Sequence, residues 1–385
     1  MKNAKWFKAQ YATIDLKDVR QRRRLRFFLI GGAVELIVLA LIGFRGMEFM
    51  DSPKFCGAVC HEVMEPEYTM YQRSPHARVD CVQCHIGPGA TWMVKSKING
   101  IPQVFHVIKN SFSRPIPTPV ENLRPARDTC EQCHWPTKFS GDILRMFTHY
   151  AEDENNTEAF KTNVYKVGGG DRSVARDIHW HITADVWYLP LDKERQEIAW
   201  VAVEEPNGNT TEFIDTAKFP EVNKDKIEKE KRLMDCVDCH NRSAHHFPSP
   251  AELIDEGLAL GKIDKNIPFI KKKGVEVLSS SPGDIQGKVD NVEALRGFYE
   301  ANYPEFFSNN KGQIHSAINQ LKDFARLVEF PSMKLNWKTH IDNMGHLENP
   351  GCFRCHGKLI AQSGPEEGKP ISFMCDDCHY SIATK

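Results

Sequence analysis

Twelve cysteines in this chain form six local pairs, and a histidine follows each pair directly. Five pairs have the spacing CxxCH, and the first has the spacing CxxxCH. Two thiols at this spacing reach the two vinyl-derived carbons on one porphyrin edge, and the next imidazole then lies under the iron. The six motifs, numbered 1 to 6 in chain order, therefore predict six covalently bound haem c groups.

Each motif supplies two kinds of residue. The thiols predicted to form thioether bonds are Cys56, Cys60, Cys81, Cys84, Cys130, Cys133, Cys236, Cys239, Cys352, Cys355, Cys375 and Cys378. The predicted proximal iron ligands are His61, His85, His134, His240, His356 and His379. Structural zinc is one alternative, but a four-thiolate site has no use for a histidine after every pair. Disulfides are another, but local pairs with trailing histidines are not a disulfide pattern.

Distal iron ligands must come from outside the motifs, where ten of the sixteen histidines lie. This surplus indicates mostly bis-histidine coordination, which favours lower potentials than methionine–histidine coordination. The distal candidates are Met64, His76, His106, His149, His179, His181, His245 and His346. His179 and His181 are two residues apart on a predicted strand, so they share one face, and one of them is expected to ligate. His245 and His246 are neighbours and cannot easily serve the same haem.

Motif 1 is unusual in its surroundings as well as its spacing. Met64 follows His61 by three residues, which is about one turn if this segment is helical. Either of these two side chains could then be an axial ligand of the first haem.

An apolar run precedes the motifs and is predicted to anchor them at a membrane. It reads FFLIGGAVELIVLALIGF from Phe27 to Phe44 and continues to Met50, long enough for one transmembrane helix. Basic residues before it predict a cytoplasmic segment 1–26 and a periplasmic haem region, with the anchor in the inner membrane. A cleaved signal peptide is the alternative, but no small-x-small site follows the run. Glu35 within the span is either a functional group or a tolerated protonated carboxyl.

The rest of the chain divides by composition into three parts. Residues 51–150 hold motifs 1 to 3 and a proline-rich connector. Residues 151–217 alternate apolar and polar positions and end near a Pro-Asn-Gly-Asn turn at 206–209, which predicts a small antiparallel β insertion. Residues 218–385 begin with a charged linker and hold motifs 4 to 6. Helical patterns lie between them at 250–260 after Ser249, at 289–301 and at 312–328.

The expected fold is a multihaem cytochrome c, mainly α-helical, with much irregular structure organised around the haems. It adds one N-terminal transmembrane helix and the β insertion. The formal net charge of −1 gives no electrostatic case for nucleic-acid binding. The glycines at 168–170 are not followed by a Lys-Ser/Thr pair, so no nucleotide site is predicted.

Three segments resemble the NapC/NirT-type membrane-anchored multihaem cytochromes. They are FCGAVCHEVMEPEY, YQRSPHARVDCVQCHIGPG and DTCEQCHWPTKFSGD, and with the anchor they span residues 20–145. The later pieces IHWHI, CVDCHNRSAHHF and NPGCFRCHG are similar to a longer branch with extra C-terminal haems. The sequence departs from the family in the CxxxCH spacing and in having six motifs rather than four or five.

The resemblance implies oxidation of a membrane quinol at the first haem and respiratory electron transfer to a periplasmic redox partner. It also implies that a methionine or histidine of motif 1 ligates the first haem and that His76 ligates a different one. Family members use acidic and lysine side chains near the quinol, which makes Asp80, Lys95 and Lys97 the quinol-site candidates.

Two other functions remain open at this point. The chain could be an electron-relay subunit that accepts electrons from another membrane redox protein and has no quinol site. It could also be a terminal reductase, which needs an open iron position. Every motif ends in histidine and ten further histidines can fill distal positions, so the sequence favours electron transfer.

Overall fold

The described fold comes from a computed structural model and covers residues 15–120, 123–138, 140–204, 210–219, 223–281, 284–364 and 366–384. Within these ranges, the side chain of His61 is not described. Most of the predicted cytoplasmic segment, at 1–14, and the predicted turn at 206–209 lie outside the described residues.

The first helix, α1, comprises Val19–Met50, and none of its 32 residues is buried. The Asp18 carboxylate caps it by accepting a hydrogen bond from the Arg20 amide at 2.8 Å. At about 1.5 Å per residue, α1 is longer than the hydrocarbon core of a bilayer is thick. Helix α1 is therefore long and apolar enough to cross a membrane. It begins before the predicted residue 27 because the basic residues continue the helix.

Short helical elements carry motifs 1 to 3. In chain order they are a π-helical turn Phe55–Val59, α2 His61–Arg73, α3 Cys81–His85, α4 Ala90–Ile108 and α5 Arg127–Cys130. The π-helical turn contains Cys56 and lies directly before Cys60. A π-helical turn holds more residues than an α-helical turn, so it accommodates the extra residue of the CxxxCH spacing.

Two antiparallel sheets follow. The first consists of β1 Ile143–Tyr150, β2 Glu158–Tyr165 and the C-terminal β10 His379–Thr384, in the order β1-β2-β10. The second has the order β6-β3-β4-β5-β9. Its strands are β3 Val186–Pro190, β4 Ile198–Glu204, β5 Thr210–Ile214, β6 Arg232–Leu233 and β9 Ile360–Ala361. Antiparallel strands at 151–217 match the predicted insertion, but β1 begins earlier and distant segments complete both sheets.

Helices dominate the C-terminal half. They are α6 Trp180–Thr183, α7 Lys224–Glu230, α8 Cys236–Cys239, α9 Pro250–Ala259, α10 Ile270–Ser279, α11 Ile285–Glu293, α12 Leu295–Asn302, α13 Pro304–Asn309, α14 Lys311–Val328 and α15 Cys375–Cys378. A small ladder pairs β7 Glu329–Phe330 with β8 Leu335–Asn336. Two 3-10 turns comprise Pro331–Met333 and Gly351–Arg354.

Helices α9, α10, α11, α12 and α14 pack around one apolar core. Leu253, Ile254, Leu321 and Phe324 are almost completely buried there. In sequence, this helical unit lies between motif 4 and motifs 5 and 6, and its buried side chains pack against one another.

Two of the predicted helices in this unit are confirmed and one is corrected. Ser249 caps α9 by accepting the Glu252 amide at 3.2 Å, as its position before the apolar pattern predicts. Helix α14 matches the pattern at 312–328. The pattern at 289–301 instead spans two helices, because the Ala294 amide bonds back to the carbonyls of both Asp290 and Val292 and ends α11.

Candidate haem centres

Single helical turns present the cysteines of most motifs. Motif 2 lies on α3, motif 4 on α8 and motif 6 on α15, while motif 5 begins in the 3-10 turn Gly351–Arg354. Residues three apart on one turn lie on the same face, so both thiols of such a motif point to the same side. Motif 4 is further held by a capping box in which Asp235 and Asp238 satisfy each other's backbone amides.

Five motif histidines each face a histidine from another part of the chain. The pairs, with the separations of their ring centroids, are His76–His134 at 6.2 Å, His85–His245 at 6.3 Å, His179–His240 at 6.5 Å, His181–His356 at 5.8 Å and His346–His379 at 6.1 Å. The five partners are all among the distal candidates of the sequence. The structure thus brings five of the eight candidates opposite a motif histidine.

These separations suit a metal ion between the two rings. Two in-line metal–imidazole bonds of about 2.0 Å, with about 1.1 Å from each nitrogen to its ring centre, predict a separation of about 6.2 Å. The observed values lie between 5.8 and 6.5 Å. The residues at these five motifs therefore fit a haem iron with one imidazole on each side.

Hydrogen bonds orient several of these rings. The Nδ1 atoms of His181 and His245 lie 2.8 Å from the Ile178 carbonyl and 2.9 Å from the Glu67 carbonyl. The Nδ1 atom of His76 lies 3.3 Å from the Ser243 carbonyl. A carbonyl oxygen can only accept, so Nδ1 carries the proton and the lone pair of Nε2 is left for a metal.

The protonation preferences of two neighbouring histidines differ. Desolvation by the surrounding protein lowers the pKa of His245, which favours the neutral, metal-binding imidazole. The next residue, His246, lies with its Nδ1 atom 2.7 Å from an oxygen of Asp342. Hydrogen bonds with Asp342 and Glu252 raise its pKa to about 9. His245 is suited to a metal ion, and His246 is suited to an ion pair.

The prediction that His179 and His181 lie on a strand is wrong. His179 caps α6 and His181 lies within it. The reason is local: the Trp180 amide bonds back to the Asp177 carbonyl at 3.0 Å, after a backbone reversal at Asp177 with φ of 64°. Two residues on a helical turn diverge by about 200°. The two rings therefore face different partners, His240 and His356, instead of sharing one face.

The other distal candidates lie in different surroundings. The Nδ1 atom of His106 lies 2.9 Å from the Ser111 hydroxyl, and the ring of His149 stacks on Phe147. Neither ring contacts a motif histidine among the described side chains. Met64 is half-buried on α2, one turn after the backbone of His61. The segment is therefore helical, as the proposal of Met64 as an axial ligand requires.

Motifs 1 and 2, and likewise motifs 3 and 4, lie close enough for their cysteines to interact. The free thiol of Cys81 in motif 2 lowers the pKa of the Cys56 thiol in motif 1 to about 7. Cys236 of motif 4 has the same effect on Cys130 of motif 3, and beside them the Ala126 amide donates to the Asp235 carboxylate at 2.8 Å.

The remaining successive motifs lie within electrostatic range of each other. Burial raises the pKa of Cys84 in motif 2, and both thiols of motif 3 raise it further. Burial raises the pKa of Cys239 in motif 4 to about 11, and Cys352 of motif 5 adds to this. The pKa of Cys378 in motif 6 is raised by burial and then by Cys352. The motifs thus follow one another in space in their sequence order.

Motifs 4 and 5 are joined by charged residues that lie between their cysteines. The Arg354 guanidinium donates to the Asp238 carbonyl at 2.6 Å and to the Arg195 carbonyl at 2.8 Å. The Asp238 carboxylate accepts from Tyr188 at 2.6 Å and from Arg195 at 3.0 Å. We call these four residues the motif 4–5 clasp. Sequence reasoning missed it, although charged residues inside two CxxCH motifs are a visible signal.

At the membrane end, an ion pair lies beside motif 1. Lys97 on α4 pairs with Asp51, the residue directly after α1, and both act electrostatically on Cys56. Lys95 instead lies over the ring of Trp92, 4.5 Å from its centre. Asp80 is exposed and precedes α3. Of the three quinol-site candidates, Lys97 is the one that pairs with the residue directly after α1. Its partner Asp51 was not predicted from the sequence.

All twelve cysteines are free of disulfide bonds. No group of three or more histidine, cysteine or carboxylate side chains in the described part of the chain is arranged to hold a metal ion, as a zinc site requires.

Comparison with known proteins finds cytochromes c. Residues 19–116 match the N-terminal region of the NapC/NirT cytochrome c family. The cytochrome c-type protein ImcH of Geobacter sulfurreducens is 43% identical over 378 residues, which cover 97% of this chain and 74% of that protein. No solved structure matches the chain. The family implies covalently bound haem c, and with α1 it indicates a single-pass inner-membrane protein. The chain belongs to the NapC/NirT family of cytochromes c.

Proposed function

We propose that this chain is a membrane-anchored cytochrome with six haem c groups that carries electrons from membrane quinol to a periplasmic redox partner. The observation that carries the proposal is the spatial order of the motifs. Motif 1 lies beside the end of α1. Hydrogen bonds join the segments of motifs 3 and 4 (Ala126 to Asp235, 2.8 Å), motifs 4 and 5 (Arg354 to Asp238, 2.6 Å), and motif 5 and the residues before motif 6 (His356 to Ser372, 2.5 Å). Such an order suits stepwise electron transfer away from the membrane.

Bound haem would supply one-electron iron chemistry, and the chain supplies attachment, axial ligands and burial. In this proposal the distal ligands are His245 for motif 2, His76 for motif 3, His179 for motif 4, His181 for motif 5 and His346 for motif 6. At these five motifs, two imidazoles would hold the iron and would leave no open position for a substrate. Five of the six motifs are therefore suited to electron transfer rather than to terminal reduction.

The ion pair of Asp51 and Lys97 is the proposed proton-handling site at the membrane surface. Oxidation of a quinol releases two electrons and two protons, and the protons need a base outside the membrane. Asp51 directly follows α1, and its side chain is partly exposed at 28%. Its carboxylate can take up a proton there, while the Lys97 ammonium can donate a hydrogen bond to a quinone oxygen.

Direct reduction by quinol tests this function. The purified, haem-loaded chain is mixed anaerobically with a water-soluble menaquinol analogue, and the reduced α-band is followed. We expect reduction without any other protein. Reduction by dithionite but not by the quinol, restored when a membrane redox partner is added, would support the relay function instead.

A further inference from the structure

Helix α4 carries an apolar stripe that faces away from the protein. Its members are Val94, Ile98, Ile101, Phe105 and Ile108, whose exposed fractions are 54, 61, 68, 54 and 78%. Spacings of four and three residues place them on one face of the helix. A row of five large, exposed apolar side chains on a 19-residue helix indicates that another apolar surface covers this face of the helix.

Two polar contacts hold α4 alongside the segment that leaves the membrane. Near its middle, Lys97 pairs with Asp51, the residue that follows α1. Just beyond its C-terminus, Arg114 bonds to Asn110 and lies 3.2 Å from Glu62 at the start of α2. The stretch that carries motif 1 lies between Asp51 and Glu62. Helix α4 therefore runs beside motif 1 at the level where α1 ends.

Lysines at the borders of the stripe have the chemistry of a membrane interface. By helical position, Lys97 lies at one edge of the stripe and Lys109 at the other, and the Lys109 ammonium lies 4.4 Å from the ring centre of Phe105. Lysine beside an apolar face suits the boundary between acyl chains and headgroups and favours anionic lipid. Gln103 lies on the opposite side of the helix and is exposed.

We propose that α4 lies in the headgroup boundary of the bilayer that α1 spans, with the stripe in contact with acyl chains. Because Lys97 at the edge of the stripe pairs with Asp51, the residue that follows α1, the stripe lies next to the membrane that α1 would span, and this identifies lipid as its occupant. Helix α4 thereby gives the protein a second attachment beside α1, and the two attachments hold motif 1 in one orientation relative to the membrane. This inference rests on α1 spanning the membrane and goes beyond the proposed quinol reaction.

The test uses the full-length, haem-loaded chain in nanodiscs of phosphatidylcholine and phosphatidylglycerol. A fraction of the lipid carries a diazirine on its acyl chain, and lipid adducts are mapped by peptide mass spectrometry after illumination. We expect adducts on α1 and on α4. Ile101→Lys should remove most α4 adducts, while the matched control Gln103→Lys should retain them. Adducts confined to α1 in the unmodified protein would overturn the proposal.

A second measurement separates lipid from other covers. Ile101→Cys and Gln103→Cys each add one thiol to a chain whose native thiols are predicted to be in thioether bonds. With a membrane-impermeant maleimide, the thiol of the Ile101→Cys variant should react at least about tenfold more slowly than the thiol of the Gln103→Cys variant. Equal reaction rates of the two variants would overturn the proposal. Slow reaction of Ile101→Cys without lipid adducts on α4 would also overturn it, because that result is expected if porphyrin rather than lipid covers the stripe. Embedding of α4 without quinol reduction would contradict the proposed function alone.

Discussion

At the residue scale, adjacent histidines serve different purposes because their neighbours differ. His245 faces His85 and has a carbonyl behind its Nδ1 atom, so its free nitrogen points to the motif. His246 is surrounded by carboxylates that favour its charged form. The residue type alone cannot show which of two adjacent histidines is suited to bind a metal. The positions of Glu67 beside His245 and Asp342 beside His246 distinguish them.

Removal of His245 should open one iron position. In the haem-loaded protein, His245→Ala should convert one haem per chain from low-spin to high-spin ferric, because the imidazole on the distal side is lost. Electron paramagnetic resonance checks the spin state, and added imidazole should restore the low-spin signal. The control His246→Ala should keep the original spectrum. An unchanged low-spin spectrum for His245→Ala would contradict this ligand assignment.

Charge removal at Asp51 should slow quinol oxidation specifically. Asp51→Asn keeps the shape but removes the base, so we expect the rate of reduction by the menaquinol analogue to fall by about 100-fold or more. Stopped-flow absorbance measures this rate, with dithionite reduction as the reference that should not change. Lys95→Met serves as a control because Lys95 lies over Trp92 rather than in the ion pair. An equal effect of both variants would argue against a specific role for Asp51.

At the element scale, short turns present the cysteines while distant segments bring a second histidine opposite five motif histidines. The motifs are visible in the sequence because their chemistry is local, and the proximal ligation that they imply stays a prediction. The five pairings could not be predicted, since each distal histidine comes from another segment whose path depends on the whole fold. The error at His179 and His181 had a local origin instead, because a backbone reversal at Asp177 converts an alternating pattern into a helical turn.

The motif 4–5 clasp should contribute to stability as a buried element. Arg354→Met leaves the carbonyls of Asp238 and Arg195 without their donor, which should cost about 1–3 kcal/mol in the free energy of unfolding. Urea unfolding of the haem-loaded protein measures the change. Arg326→Met removes an ion pair whose side chains are 61 and 67% exposed, and this control should stay within about 0.5 kcal/mol of the parent. Equal urea unfolding midpoints for the two variants would show that the clasp does not contribute to stability.

At the scale of the whole molecule, the order of the motifs links the membrane to the C-terminal strands. The anchor, the antiparallel strands at 151–217 and two of the C-terminal helices could be predicted from periodicity and capping residues. The closure of both sheets by residues near the C-terminus could not, because strand pairing over such a distance leaves no local pattern. That pairing places His379 of motif 6 in β10, opposite Tyr165 of β2, and so fixes the position of the last motif.

One measurement tests the complete path most directly. In the full-length, haem-loaded variant His346→Met, methionine ligation should give the haem of motif 6 a distinct absorption band and a raised potential. An excess of menaquinol analogue is added anaerobically, and this band is followed. The account predicts that quinol alone reduces the motif 6 reporter. A reporter that stays oxidised with quinol but is reduced by dithionite would contradict an electron path from the membrane to the last motif.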